Sequence, residues 1–231
     1  MDGLSLFAKY AFPPNKLGYC GPPDGLVPNE IGESRKELRY LLSQFEGAVP
    51  YLRLIAGSNN IKDEFDPRVV EAYWLGNDFL KNVPENAVFL NIEDRFKKKM
   101  QDNDWKWLIS ESVPYAKPHH VFHVFDIYRR AGLTRSGAVE NVLSTMDSCR
   151  ISWGKVVGDG LVEYSPLVFR GNKLEFGEKT TKKLISLDPS IKIGDDVSFH
   201  WDYVCDKITP IQKKNLRFWT KHHLDLTNKT I

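Results

Sequence analysis

Cys149-Arg150-Ile151-Ser152-Trp153-Gly154-Lys155-Val156-Val157 is where the sequence changes its period. Upstream of it, apolar residues recur every three or four positions. Downstream they fall in short runs divided by Gly, Asp and Pro. Residues 150–157, 161–169, 173–176, 181–187 and 197–205 read as five short strands. Strands of this length and spacing predict a small β-barrel. Thr209-Pro210-Ile211-Gln212 then has the spacing of a capping box, and opens a closing helix that carries Ile211, Leu216, Phe218, Trp219 and Leu224.

Working outward, the N-terminal part reads as mostly helical. Residues 30–49 place Leu38, Leu41, Leu42, Phe45 and Val49 at helical spacing. Asp66-Pro67 is a helix start, because Asp caps free N–H groups and Pro fits the first turn. The stripe Val69, Val70, Tyr73, Trp74, Asn77 follows it, with further helices expected over residues 92–109 and 136–146. Residues 9–28 are rich in proline and glycine and predict an extended loop. The expected fold is therefore α+β: a mostly helical domain over residues 1–147, then a five-stranded OB-like barrel with a C-terminal helix over residues 148–231.

Composition narrows the function classes. The chain has 231 residues, 32 basic against 30 acidic, for a net charge of +2. That balance gives no basic excess for a general nucleic-acid partner. No apolar run approaches the roughly 20 residues of a membrane helix. Three widely spaced cysteines and no secretory pattern predict a cytoplasmic protein with free thiols. Phosphate-loop, dinucleotide and nucleophile-elbow patterns do not occur.

Three groups of residues carry metal-type chemistry. Cys149 and His200 offer a thiolate and an imidazole, a donor pair suited to iron. Pro118-His119-His120-Val121-Phe122-His123 places His119 and His123 one helical turn apart, with Asp126 and Tyr128 near enough to orient an imidazole. A metalloprotease helix needs Glu as general base where His120 stands, so hydrolysis of that kind is not expected. The Gly18-Tyr19-Cys20-Gly21 loop presents a third thiol. Cys20, Glu71 and Asp126 are additional candidates, whereas Cys205 reads as core.

The C-terminal part resembles the HypC/HupF family of nickel–iron hydrogenase maturation chaperones. The likeness rests on Cys149 before the first strand, on Gly154-Lys155-Val156, and on Gly194, Asp195, Val197 and His200 in a Gly-Asp-x-Val-x-x-His segment. It implies a transiently held iron with cyanide and carbon monoxide ligands, bound through Cys149 and His200. The implied partners are an iron-assembly scaffold and a hydrogenase large subunit. In that family the cysteine is the mature N-terminus; here it is internal. Phe12–Pro22 and Val69–Asn77 resemble a microbial family of uncharacterised function and imply no activity. The rival expectations are a metal-dependent enzyme built on His119, His120 and His123, with a second metal of unspecified identity, and a plain interaction module.

Overall fold

The computed structural model describes residues 1–23, 25–26, 34–127 and 139–229, without the side chains of residues 139–141. Helix α1, Gly3–Lys16, opens the chain. It is followed by α2 (Arg35–Ser43), α3 (Val49–Ser58), α4 (Pro67–Trp74), α5 (Glu85–Phe96) and α6 (Asp102–Trp107), with 3-10 and π turns between several of them. A short helix α7, His120–Phe122, runs on as a π turn through Ile127, and α8 (Val139–Cys149) leads into the strands. Helix α9, Pro210–Thr227, closes the chain from the predicted capping box, with Thr209 and Gln212 bonding each other's backbone.

The five predicted runs resolve into eight strands: β1 (Ser152–Gly158), β2 (Leu161–Tyr164), β3 (Leu167–Arg170), β4 (Lys173–Phe176), β5 (Thr180–Lys183), β6 (Ile185–Ser186), β7 (Asp196–His200) and β8 (Tyr203–Lys207). Three runs split where the backbone turns: at Ser165-Pro166, at Leu184, and at Trp201-Asp202. Trp201 lies in the left-handed region with φ 56°. Six strands form a mixed sheet in the order β5-β2-β1-β7-β8-β6, and β3 and β4 form a separate hairpin. Only Leu184 separates the two edge strands β5 and β6, so the sheet curls on itself around Val156, Val162, Leu184, Val197 and Phe199. The α+β class is as expected.

The largest correction is at α1. Residues 9–16 were expected to be loop and are helical, with Pro13 and Pro14 inside the helix. Pro costs a helix the hydrogen bond to the carbonyl four residues back. Here the two prolines occupy the final turn, and the Tyr10 carbonyl opposite Pro14 is taken by another donor, described below. Burial supplies the rest: Phe7, Ala8, Tyr10 and Ala11 are all fully buried. The expected helix over residues 30–49 breaks at Gln44–Ala48, and α3 restarts with Pro50 in its first turn. The one over 92–109 begins earlier, at Glu85, and breaks near Met100. The starts of the helices expected at 30 and 136, and Tyr128, lie outside the described residues.

α1 also joins the two halves. Tyr10 stacks on Trp74 of α4 at 5.6 Å, and its hydroxyl meets Ser198 Oγ of β7 at 2.7 Å. Lys9 Nζ reaches Asp206 at 2.8 Å, and Lys16 Nζ reaches the Tyr203 hydroxyl at 2.7 Å. One buried apolar cluster runs from Leu4 to Trp219, across residue 147. Gly76, with φ 81°, lets Trp219 of α9 lie on the end of α4; a Cβ there would come within 2.1 Å of the indole. Asp147 itself is a packed hub. It accepts from the Arg150 guanidinium, the Tyr164 hydroxyl and the Leu167 N–H.

Candidate metal centre

Three chain segments bring His120, Cys149 and His200 together. Their donor atoms, one from each side chain, lie within 4.8 Å of one another. Cys149 is the last residue of α8, and His200 is the last of β7. The Trp201 N–H donates to the Ser148 carbonyl at 2.8 Å, which holds the end of β7 against the end of α8. In the β1–β7 ladder Ser152 faces Phe199, which places His200 beside the α8–β1 junction. His120 arrives from the start of α7, where the His119 ring caps the helix by accepting the Val121 N–H at 3.2 Å.

Each imidazole has a defined tautomer. His200 Nδ1 donates to the Tyr10 carbonyl at 2.7 Å, because a carbonyl oxygen only accepts. Its Nε2 therefore carries a lone pair, and that atom is buried without a hydrogen-bond partner. His120 Nε2 donates to the Cys149 carbonyl at 2.8 Å, and its Nδ1 accepts the Tyr73 hydroxyl at 3.1 Å. The Trp74 indole packs on both rings, at 4.7 Å from His120 and 5.9 Å from His200. Both histidines are buried, and Cys149 is half-buried as a residue and packs against the apolar cluster of Val121, Phe125 and Met146.

Burial sets the protonation states. It pushes His200 down to about 4 and His120 well below its usual range, so both rings are neutral at pH 7. It pushes the Cys149 thiol up, so the sulfur is protonated until a cation displaces the proton. One thiolate and two neutral imidazoles suit zinc, iron or copper, and their number leaves a coordination position open. Ligand distances of roughly 2.0–2.3 Å place donors about 3.3–3.6 Å apart around a tetrahedral ion. Closing from at most 4.8 Å to that spacing takes a movement of up to about 1.5 Å.

The other predicted residues go elsewhere. The three neighbouring histidines do not share a site, and His120 alone joins Cys149 and His200. His119 stacks on the buried ring of His223 at 6.1 Å. His123 Nδ1 meets the Tyr51 hydroxyl at 3.3 Å, and the ring lines a cavity of about 940 Å³ together with Cys20. Cys20 is exposed and sits outside the trio. Its loop is shaped by Asn15, whose Nδ2 donates to the Cys20 and Pro22 carbonyls at 2.8 and 3.0 Å. Tyr19 stacks on Trp201 at 4.6 Å, tying that loop to the turn after His200. Glu71 accepts from Gln212 at 2.8 Å and anchors α9 to α4. Asp126 is buried and accepts from Thr227 at 3.2 Å. Cys205 is buried in the core, as expected. Three residues that matter here were not singled out for chemistry from sequence: Pro14, Tyr73 and Trp74. Tyr73 and Trp74 carried only the signal of a buried helical stripe.

The whole chain, residues 1–231, matches the family described as Family of unknown function (DUF6390), and the protein belongs to that family. No curated protein and no solved structure matches it. Among the described residues, no helix is long and apolar enough to cross a membrane.

Proposed function

We propose that this member of the family is a metal-holding protein, which binds a soft or borderline transition-metal ion between His120, Cys149 and His200. The observation that carries the reading is the gathering of one donor atom each from His120, Cys149 and His200 within 4.8 Å, at a histidine, His200, whose Nε2 is buried and unpartnered. An unpaired buried polar nitrogen costs about 1–3 kcal/mol, and a metal ion satisfies it. The open coordination position suits a cofactor that arrives with ligands of its own and is passed on to a client.

The finer form of this reading is delivery of an iron carrying cyanide and carbon monoxide to a hydrogenase large subunit, from an assembly scaffold. It is supported by the resemblance of Cys149 and the Gly194–His200 segment to the hydrogenase chaperones, and by nothing else in the chain. A metal-dependent enzyme is the second reading. Three protein donors with one open position is also the pattern of catalytic zinc sites. On that reading the ion sits at the same trio, and not at His119, His120 and His123.

Cobalt(II) titration tests the site. The wild-type chain should bind one ion and show a thiolate-to-cobalt charge-transfer band. Cys149→Ala and His200→Ala should lose the ion and His123→Ala should keep it. Loss with His123→Ala, and retention with Cys149→Ala, would overturn the assignment.

A further inference from the structure

The two imidazoles of the trio differ in readiness. His200 has its proton on Nδ1, held by the Tyr10 carbonyl, so its Nε2 is set to ligate. His120 has both nitrogens engaged, Nε2 with the Cys149 carbonyl at 2.8 Å and Nδ1 with the Tyr73 hydroxyl at 3.1 Å. It becomes a ligand only by releasing one of them.

We propose that Tyr73 is the positioning residue that lets His120 exchange its hydrogen bond to the Cys149 carbonyl for a metal ion. This rests on the metal-centre reading above. Ligation through Nε2 requires the ring proton to move to Nδ1. A carbonyl opposite Nδ1 would block that nitrogen as an acceptor, and a carboxylate would do the same. A phenol hydroxyl donates or accepts by rotation about one bond. Tyr73 therefore donates to Nδ1 when His120 is tied to Cys149, and accepts from Nδ1–H when His120 holds the ion.

The proton balance closes. Water takes the proton from Nε2 and returns one to Nδ1, so the imidazole stays neutral. Tyr73 keeps its own proton throughout. The Cys149 thiol gives its proton to solvent as sulfur binds the metal, so one proton leaves per ion. Leaving the carbonyl also frees the His120 ring to swing the distance, up to about 1.5 Å, that closure needs.

Tyr73 is built for a fixed hydroxyl. It is 1% exposed, lies parallel to Tyr51 at 5.9 Å, and meets Trp74 edge-on at 4.7 Å. Burial raises its ionisation well above the ordinary tyrosine range, so it remains a neutral phenol able to play both parts.

The test is long-range proton–nitrogen NMR of the ¹⁵N-histidine-labelled full chain, with and without zinc(II). His120 should change from Nε2–H to Nδ1–H on loading, while His200 stays Nδ1–H. In Tyr73→Phe, zinc affinity should fall about 10–100-fold, the usual effect of removing a partner of a ligating histidine. His120 remaining Nε2–H in the loaded wild type overturns the proposal without recourse to any variant. Zinc binding that is lost in Cys149→Ser but indifferent to Tyr73→Phe overturns this inference alone. Zinc binding that survives Cys149→Ser overturns the centre and the inference with it.

Discussion

The Tyr10 carbonyl accepts the Nδ1–H of His200 at 2.7 Å, and it is free to do so because the residue four positions on is Pro14. Proline has no N–H to complete the helical bond. The sequence of α1 thus fixes the tautomer of a histidine 190 residues away and leaves its Nε2 for a metal.

Pro14→Ala tests that link. The new N–H would compete for the Tyr10 carbonyl and loosen the hold on His200. Metal affinity should fall by about tenfold, in the range seen for partners of ligating histidines. The folded state should be no less stable, since Ala is the better helix former. Isothermal titration beside thermal unfolding measures both. Unchanged affinity would mean that the Tyr10 carbonyl does not govern His200.

Metal uptake should depend on pH in one direction. Burial holds His200 at about 4 and the Cys149 thiol above its ordinary range, so near neutrality only the thiol has a proton to lose. Apparent affinity should therefore rise about tenfold per pH unit between pH 6 and 8. One proton should be released per ion, measurable by titration in buffers of different ionisation enthalpy. Release of none would leave the thiol out of the site.

His223 makes the fold acid-sensitive. Burial, with His222 and His119 beside it, holds its ionisation well below the ordinary value. The unfolded chain takes up this proton near pH 6.5, and the folded chain does not. Stability is then full above about pH 6.5 and is lost as pH falls towards the folded value, by up to about 1.4 kcal/mol per unit. Denaturant midpoints between pH 7.5 and 5 should fall less steeply in His223→Leu than in the wild type. Equal slopes would show that His223 is charged in the folded protein.

How much of this was legible in the sequence differs from element to element. The Asp66-Pro67 start and the Thr209–Gln212 capping box are local chemistry and were read correctly. The strand region was read from its period, but Trp201 in a left-handed turn, which divides β7 from β8, gave no signal without glycine. Helix α1 was hidden because Pro13 and Pro14 break helices unless tertiary contacts compensate, and the one that takes up the Tyr10 carbonyl opposite Pro14 comes from His200 of β7. At the site, Cys149 and His200 were paired through a family resemblance. His120 was grouped with its sequence neighbours, because no spacing rule connects residue 120 to an α8 end and a β7 end that meet only in the folded chain.

Asp147, where the period change placed a boundary, should behave as a structural keystone. Arg150 is 1% exposed at its side chain and pairs with Asp147 at 2.8 Å. Asp147→Ala would leave that guanidinium buried without its counter-charge, at a cost of about 3–5 kcal/mol. Denaturant unfolding measures it. A loss below about 1 kcal/mol, the worth of a surface pair, would contradict the buried hub.

The zinc K-edge X-ray absorption spectrum of the loaded 231-residue chain reports directly on which donors hold the ion. One sulfur near 2.3 Å and two imidazole nitrogens near 2.0–2.1 Å are expected, with a light atom completing the shell. The sulfur contribution should vanish in Cys149→Ala. A wild-type spectrum with no sulfur, or one that Cys149→Ala leaves unchanged, would contradict a centre at His120, Cys149 and His200.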